Sequence, residues 1–235
     1  MRLIAHRGAS GHAPENTEAA FNLALEMGAK AVELDVHRTK DGELVVIHDE
    51  DLKRTGRRKG AIAKLTFKEL LTADVGSWFS PKFKDQGIPT LEEVLDLCEG
   101  RAEVHVEIKQ GSRLYPGIEE TVVAMIRRRE ALRWTVVSSF DHGALYVVRA
   151  IDNKVRLGYL LGWTRLPVAY EEMRDLKAES LNLSARQVNA RIVKECHARG
   201  HKVLVYTVNT QKEADRMAKL GVDGIFCNFP ELKVA

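Results

Sequence analysis

Cysteine is scarce in this chain of 235 residues: Cys98, Cys196 and Cys227 stand far apart, with no C-x-x-C spacing. That excludes a disulfide framework and gives no support to a zinc site, the two devices by which small folds compensate for a thin core. Long apolar runs are missing too; none approaches the ~20 residues that a membrane-spanning helix needs. At the front, Met1-Arg2-Leu3-Ile4-Ala5 passes directly into polar His6-Arg7-Gly8, so no secretory leader is expected. A reducing cytoplasm is the expected compartment, with no stable membrane insertion. Charge of one sign is also in short supply. The 36 Lys and Arg against 33 Asp and Glu leave a net charge of +3, too little for a nucleic-acid partner, which needs a clustered basic surface. The one dense run, Lys53-Arg54 through Arg57-Arg58-Lys59, is expected to be a solvated loop.

What is present is an ordinary globular mixture, 45% hydrophobic and 29% charged. The length suits one α/β barrel, which takes ~250 residues, better than two domains. Nine short β-like runs punctuate the chain: Leu3–His6, Val32–His37, Leu44–His48, Glu103–Ile108, Thr135–Ser139, Val155–Leu161, Ser180–Leu183, Val203–Thr207 and Gly224–Cys227. Between most of them apolar residues recur at helical spacing, over Asn16–Met27, Ile118–Arg129, Pro167–Lys177, Ala190–Arg199 and Gln211–Leu220, with Gly28, Gly200 and Gly221 as stops. Alternating β and α segments imply a parallel sheet with helical crossovers. Leu44–His48 breaks the pattern, because it follows the previous strand after only six residues that include Asp41-Gly42. A parallel crossover needs a dozen or more residues, whereas Asp-Gly marks a hairpin. Removing that antiparallel strand leaves eight barrel strands, the count of a (β/α)₈ TIM barrel.

The stretch from Asp51 to Thr90 departs from the alternation. It holds the basic run, a short helix candidate from Thr66 to Thr72 with Thr66 and Glu69 as a capping box, and the aromatics Trp78, Phe79 and Phe83. Too long for a plain loop, residues 51–90 are expected to be a small subdomain inserted after the second barrel strand and its hairpin, near the active face. The three aromatics are expected to pack within it. The rest of 1–235 is expected to be a single barrel domain.

Barrel enzymes carry their chemistry at the C-terminal ends of the strands. There the first strand ends in His6-Arg7, the second carries Glu33 and Asp35, the hairpin strand ends in His48-Asp49, and the next carries His105, Glu107 and Lys109. Period two places Glu33 with Asp35, and Glu107 with Lys109, on one side of their strands. Carboxylates facing a barrel interior are costly unless they are paired or bind a cation. Glu33, Asp35 and Glu107 make an all-oxygen set suited to Mg²⁺ or Ca²⁺ rather than zinc. Arg7 and Lys109 can hold a phosphate, and His6 and His48 can act as acid and base near neutral pH. Cation, phosphate clamp and two histidines describe phosphoryl-ester hydrolysis. His105 shares the face of Glu107 but sits deeper and is expected to be structural. Of the remaining histidines, His142, just after a strand, is the one to watch.

These residues resemble a known family. His6-Arg7-Gly8, Pro14-Glu15-Asn16-Thr17, Glu33-Leu34-Asp35-Val36, Thr39-Lys40-Asp41-Gly42 leading to His48-Asp49, Pro89-Thr90-Leu91-Glu92-Glu93 and Glu107-Ile108-Lys109, followed by Thr207-Val208-Asn209 and Asp223-Gly224-Ile225, are similar in order and spacing to the glycerophosphodiester phosphodiesterases from His6 to Pro230. The resemblance implies a barrel with an insertion after the hairpin and a divalent metal on Glu33, Asp35 and Glu107. It also implies acid–base work by His6 and His48, and phosphate contacts from Arg7 and Lys109. Two positions depart from the family's habit: Tyr206 stands where tryptophan is common, and Asn228 near the last strand where aspartate is common. Tyr206, at a strand end, is a candidate for the pocket rim, and both bear on head-group preference.

The expected reaction converts a glycerophosphodiester into glycerol 3-phosphate and an alcohol. The glycerol C2 hydroxyl is the expected nucleophile, giving a cyclic 1,2-phosphate that water opens; direct attack by water is the competing route. Other readings are a lysophospholipase D or phosphoinositide-type activity on a related barrel, which an apolar rim would favour, and a catalytically silent binding barrel. An aldolase or isomerase with Lys109 as a Schiff-base lysine is disfavoured, because neighbouring carboxylates raise the lysine pKa.

Overall fold

The structure is a computed structural model that describes residues 1–234. Strands β1 (Arg2–His6), β2 (Ala31–Arg38), β4 (Glu103–Ile108), β5 (Thr135–Ser139), β6 (Arg156–Leu160), β7 (Ser180–Ser184), β8 (Lys202–Tyr206) and β9 (Gly224–Cys227) run parallel, and β1 pairs with both β2 and β9. The sheet therefore closes on itself as a (β/α)₈ barrel. The ninth strand, β3 (Leu44–Val46), lies antiparallel against the far end of β2, with Val36 opposite Val46 and Arg38 opposite Leu44. Its turn is built by Thr39 and Asp41. Thr39 N donates to Glu43 O at 2.9 Å, and Gly42 takes φ +98°, where a side chain would be strained. The strand stops at Val46 rather than His48, because only Ile47 N continues the ladder, donating to Asp35 O at 3.0 Å.

Helices α1 (Glu18–Glu26), α3 (Leu91–Cys98), α4 (Ile118–Arg128), α5 (His142–Ile151), α6 (Leu166–Leu176), α7 (Ala190–Ala198) and α8 (Gln211–Leu220) surround the barrel, and the short α2 (Phe67–Leu70) lies before α3. The expected helices appear within two residues of their sequence bounds. α1 starts at Glu18 rather than Asn16 because Asn16 adopts φ +56° and Thr17 caps the helix. Side-chain caps set several starts: Thr66 with Glu69 and Thr90 with Glu93 form reciprocal capping boxes, and Asn189 accepts from Ile192 N. The outward residues of β2 (Val32, Leu34 and Val36) pack with Phe21 and Ala24 of α1 and with Leu91, Val94 and Leu95 of α3 in the main core.

Inside the barrel the side chains form three levels. Arg2, Glu103, Arg156 and Glu179 are ion-paired at the floor. Ile4, Ala31, Leu204 and Phe226 make an apolar waist above it. The polar groups of the site sit on top. In residues 51–90, Leu52, Ile62, Leu70, Ala73, Val75 and Ile88 gather with Val45 and Ile47 in a cluster of their own. Trp78, Phe79 and Phe83 meet edge to face in series at 5.8 and 5.7 Å. Among the described residues no helix is long and apolar enough to cross a membrane.

Candidate active site

Two adjacent strands bring the three carboxylates together. β2 and β4 pair in register, Glu33 opposite His105 and Asp35 opposite Glu107, so strand period alone sets these side chains side by side. One oxygen from each of Glu33, Asp35 and Glu107 lies within 4.8 Å of the others, and all three residues are buried. The electrostatics follow. Burial, then repulsion from Asp35 and Glu107, pushes the Glu33 carboxyl well above the usual range, and burial likewise raises Glu107. Burial also acts to raise Asp35, but Lys109 and Arg7 overcome it and hold that carboxyl low. Lys109 Nζ lies 2.8 Å from Glu107 Oε1 and 3.3 Å from Asp35 Oδ1, while Arg7 Nε lies 3.1 Å from Asp35 Oδ2. Three buried carboxylates face two cations, so the cluster is short of positive charge. Its donors are oxygen only, and it could hold a hard divalent cation.

Arg7 reaches this cluster from the turn after β1, where it adopts φ +58°, and its N–H donates to Glu33 Oε2 at 3.1 Å. His6 lies at the end of β1. Its Nδ1–H donates to Asn228 Oδ1 at 2.9 Å, leaving Nε2 without a proton and 4.0 Å from Glu33 Oε2. Burial, reinforced by Arg7, pushes the His6 pKa down to about 4. His48 differs. Its Nδ1 donates to a carboxylate, Asp49 Oδ1, at 2.7 Å, and it is more open to solvent. Burial, with Lys109 and Arg7, still lowers its pKa against the pull of Asp35 and Asp49. His37 steadies this strand end, donating Nε2–H to His48 O at 3.0 Å while its Nδ1 accepts from Tyr115 Oη at 2.7 Å.

All but one of the seven predicted catalytic, metal and phosphate residues line a single cavity of about 230 Å³ at the C-terminal ends of the strands: His6, Arg7, Glu33, His48, Glu107 and Lys109. Asp35 lies directly beneath, joined to the cavity through Arg7 and Lys109. Tyr206 lines the same cavity, as do Ser138, Phe140, Leu160, Thr207 and Phe226. Burial, with Glu107 adding to it, pushes the Tyr206 phenol up to about 12. His105 stands one level down, its Nε2 2.9 Å from Glu103 Oε1. His142 stays outside the cavity; it donates to Leu160 O at 2.8 Å and stacks on Tyr159. A larger groove of about 670 Å³ between α6 and α7, walled by Tyr170, Arg174, Arg191 and Arg199, contains none of these groups.

Sequence reasoning missed the residues that support the set. Asn16 Nδ2 donates to Asp35 Oδ2 at 2.8 Å. Glu15 holds Arg7 Nη1 at 2.9 Å. Arg54 grips Glu15 through both terminal nitrogens at 2.8 Å and Asp49 through Nε at 2.7 Å. The basic run is exposed at Lys53, Arg54, Arg57 and Lys59, as a solvated loop would be, but Arg54 also ties the partner of Arg7 to the partner of His48. No local pattern announces a pairing across 39 residues. Removing such an outer support costs on the order of 10-fold in activity. Arg54→Ala is expected to lower kcat by about that factor, and Arg54→Lys to recover little, since one ammonium cannot replace a planar fork. Steady-state kinetics on variants with unchanged melting temperature check this; full activity in Arg54→Ala would remove its positioning role.

Residues 6–232 match the model of the glycerophosphoryl diester phosphodiesterase family. The chain belongs to that family. A glycerophosphodiester phosphodiesterase of Caldanaerobacter subterraneus subsp. tengcongensis is 39% identical over 97% of this chain and 94% of its own length. One from Bacillus altitudinis is 38% identical over 99% of this chain and 96% of its own. Among solved structures, an Oleispira antarctica phosphodiesterase in complex with the product sn-glycerol-3-phosphate superposes with a TM-score of 0.91 at 30% identity, covering 98% of this chain and 94% of that one. The family's chemistry, hydrolysis of a phosphoric diester of glycerol, is the chemistry of this chain.

Proposed function

We propose that the barrel mouth hydrolyses glycerophosphodiesters to glycerol 3-phosphate and an alcohol with the residues described above, in a site completed by Mg²⁺ or Ca²⁺. The observation that carries the reading is the convergence of buried carboxylates, two cations and two histidines on one cavity. Glu33, Asp35 and Glu107 would hold the ion, which when bound supplies positive charge for the negative charge that develops on the phosphoryl oxygens. Arg7 and Lys109 bind the phosphate and share that load, with their geometry fixed in advance by Glu15, Asp35 and Glu107. His6 is the base. Its Nδ1 proton is committed to a neutral amide, so Nε2 presents a lone pair to the cavity. His48 is the acid: a carboxylate accepts from its Nδ1 and opposes the loss of the ring proton, where His6 has only a neutral amide.

In this assignment His6 takes the proton from the glycerol C2 hydroxyl, whose oxygen attacks phosphorus. His48 protonates the departing alkoxide, and the bond from phosphorus to the alcohol oxygen breaks. Water then opens the cyclic 1,2-phosphate, with the two histidines in exchanged roles. Intramolecular attack is favoured by effective molarities of ~10⁵ M or more. Residues 51–90 act as an inserted subdomain that lends Arg54 to this side of the mouth. The buried free thiols of Cys98, Cys196 and Cys227 accord with a reducing cytoplasm. The test is product analysis with glycerophosphocholine. We expect glycerol 3-phosphate and choline, no inorganic phosphate, and a trapped cyclic phosphate in a single turnover. Release of inorganic phosphate would overturn the assignment; rapid cleavage of a 2-deoxy analogue would remove the cyclic route alone.

A further inference from the structure

Two hollows meet at His48 and Lys109. One is the cavity of about 230 Å³ described above; the other, of about 460 Å³, is walled by Asp49, Glu50, Asp51, Lys53, Arg54 and Gln110. Attacking and leaving oxygens stand roughly in line through phosphorus. With the glycerol hydroxyl at His6, the departing oxygen is directed away from His6 and must come within hydrogen-bond reach of His48, which protonates it. The rest of the alcohol then extends into the second hollow.

Almost every charge in that hollow is paired. Asp49 is held by His48 and Arg54, Asp51 by Lys53 at 2.6 Å, and Lys109 by Asp35 and Glu107. Arg54 turns its terminal nitrogens to Glu15. Glu50 is the exception. Among the described residues its carboxylate enters no ion pair, and its one hydrogen bond is a long one, from Gln110 Nε2 at 3.5 Å. Its backbone is fixed all the same, since Glu50 O accepts from Ile62 N at 2.9 Å. The hollow thus carries one unpaired negative charge, two residues along the chain from the acid. No Trp, Tyr or Phe lines it, so it lacks the aromatic face that binds a quaternary ammonium.

We infer that the hollow beyond His48 is the subsite for the departing alcohol and that Glu50 reads a primary ammonium on it, so that alkanolamine esters such as glycerophosphoethanolamine are preferred to neutral and quaternary ones. The inference rests on the proposed acid role of His48, because the subsite begins where that residue meets the leaving oxygen. An ammonium two carbons from the bridging oxygen brings N–H donors to the carboxylate, a charge-assisted hydrogen bond. Glu50 is exposed, so the contact is worth a factor of about 5 rather than one of hundreds.

The test compares glycerophosphoethanolamine with its neutral isostere glycerophosphopropanol at neutral pH. The native enzyme should show a kcat/KM ratio of about 5 in favour of the amine. Glycerophosphocholine should fall between the two, and the ratio should shrink as salt is added. Glu50→Gln should bring the ratio to about 1 with an unchanged melting temperature, and Glu50→Asp should keep part of it. A purely structural Glu50 would lower both esters together. Calorimetry with phosphoethanolamine and propyl phosphate, Mg²⁺ present, reads the same contact without turnover and should give a similar ratio of affinities. Equal kcat/KM for the two esters in the native enzyme, or a ratio that survives Glu50→Gln, would overturn the subsite. No hydrolysis of either ester, with the affinity ratio present in the native protein and lost in Glu50→Gln, would count against the catalytic assignment and leave the subsite standing.

Discussion

Treatment with a chelator should abolish hydrolysis of glycerophosphocholine, and Mg²⁺ or Ca²⁺ should restore it. The reason lies in the charge balance at the top of β2 and β4, where three buried carboxylates answer to only two cations and the Glu33 carboxyl is driven up by burial and by its neighbours. A phosphodiester brings one further negative charge into that neighbourhood. Glu33→Gln, Asp35→Asn and Glu107→Gln should each weaken cation binding and lower turnover sharply. The cation should also stabilise the fold, because it binds the native arrangement and not the unfolded chain; at a concentration 100 times its dissociation constant the gain is about 2.7 kcal/mol. Calorimetry with and without ion reads this directly. Full activity in thoroughly chelated protein, with no rise in melting temperature on adding Mg²⁺ or Ca²⁺, would show that the carboxylates serve the structure alone.

His6→Ala and His48→Ala should each lose at least ~10²-fold in kcat while melting near the native temperature, the usual scale for an acid–base group. The pH profile separates the two. A base must be unprotonated and an acid protonated, so kcat should rise with pH as His6 loses its proton and fall as His48 loses its own. Both pKa values are depressed, His6 to about 4 by burial and Arg7. The bell should therefore be displaced to the acid side of an ordinary histidine pair, with the rising limb assigned to His6. Asn228→Asp tests the pairing at Nδ1. A carboxylate there would favour the imidazolium and shift the rising limb towards higher pH. A His6→Ala variant of near-normal kcat, or an unmoved limb in Asn228→Asp, would take the base role away from His6.

Much of this was legible in the sequence because strand period and turn chemistry are local. Glu33 with Asp35, and Glu107 with Lys109, follow from alternation along single strands, and Asp41-Gly42 announced the hairpin that delivers His48. The helix α3 carries an equally local signal, the capping pair Thr90 and Glu93. The supporting shell was not legible. Arg54 meets Glu15 and Asp49, and His6 meets Asn228 across 222 residues, only because the barrel closes and the insertion folds back. Within one chain, a charged run reads the same whether it is solvated or clamped.

The pairing of β2 with β4 has a consequence for how such a barrel can change. Glu33, Asp35 and Glu107 are spaced by backbone hydrogen bonds between neighbouring strands, and His6, Arg7 and Lys109 belong to the same arc of the barrel. The ends of β5 and β6, which bring Phe140 and Leu160 to the cavity, line its other side and take no part in that spacing. The molecule thus separates labour between two half-barrels. One half is constrained residue by residue by the reaction; in the other, the segment after β9 is tied to the reaction through Asn228, while the loops after β5 and β6 can be exchanged with the cleavage machinery left in place.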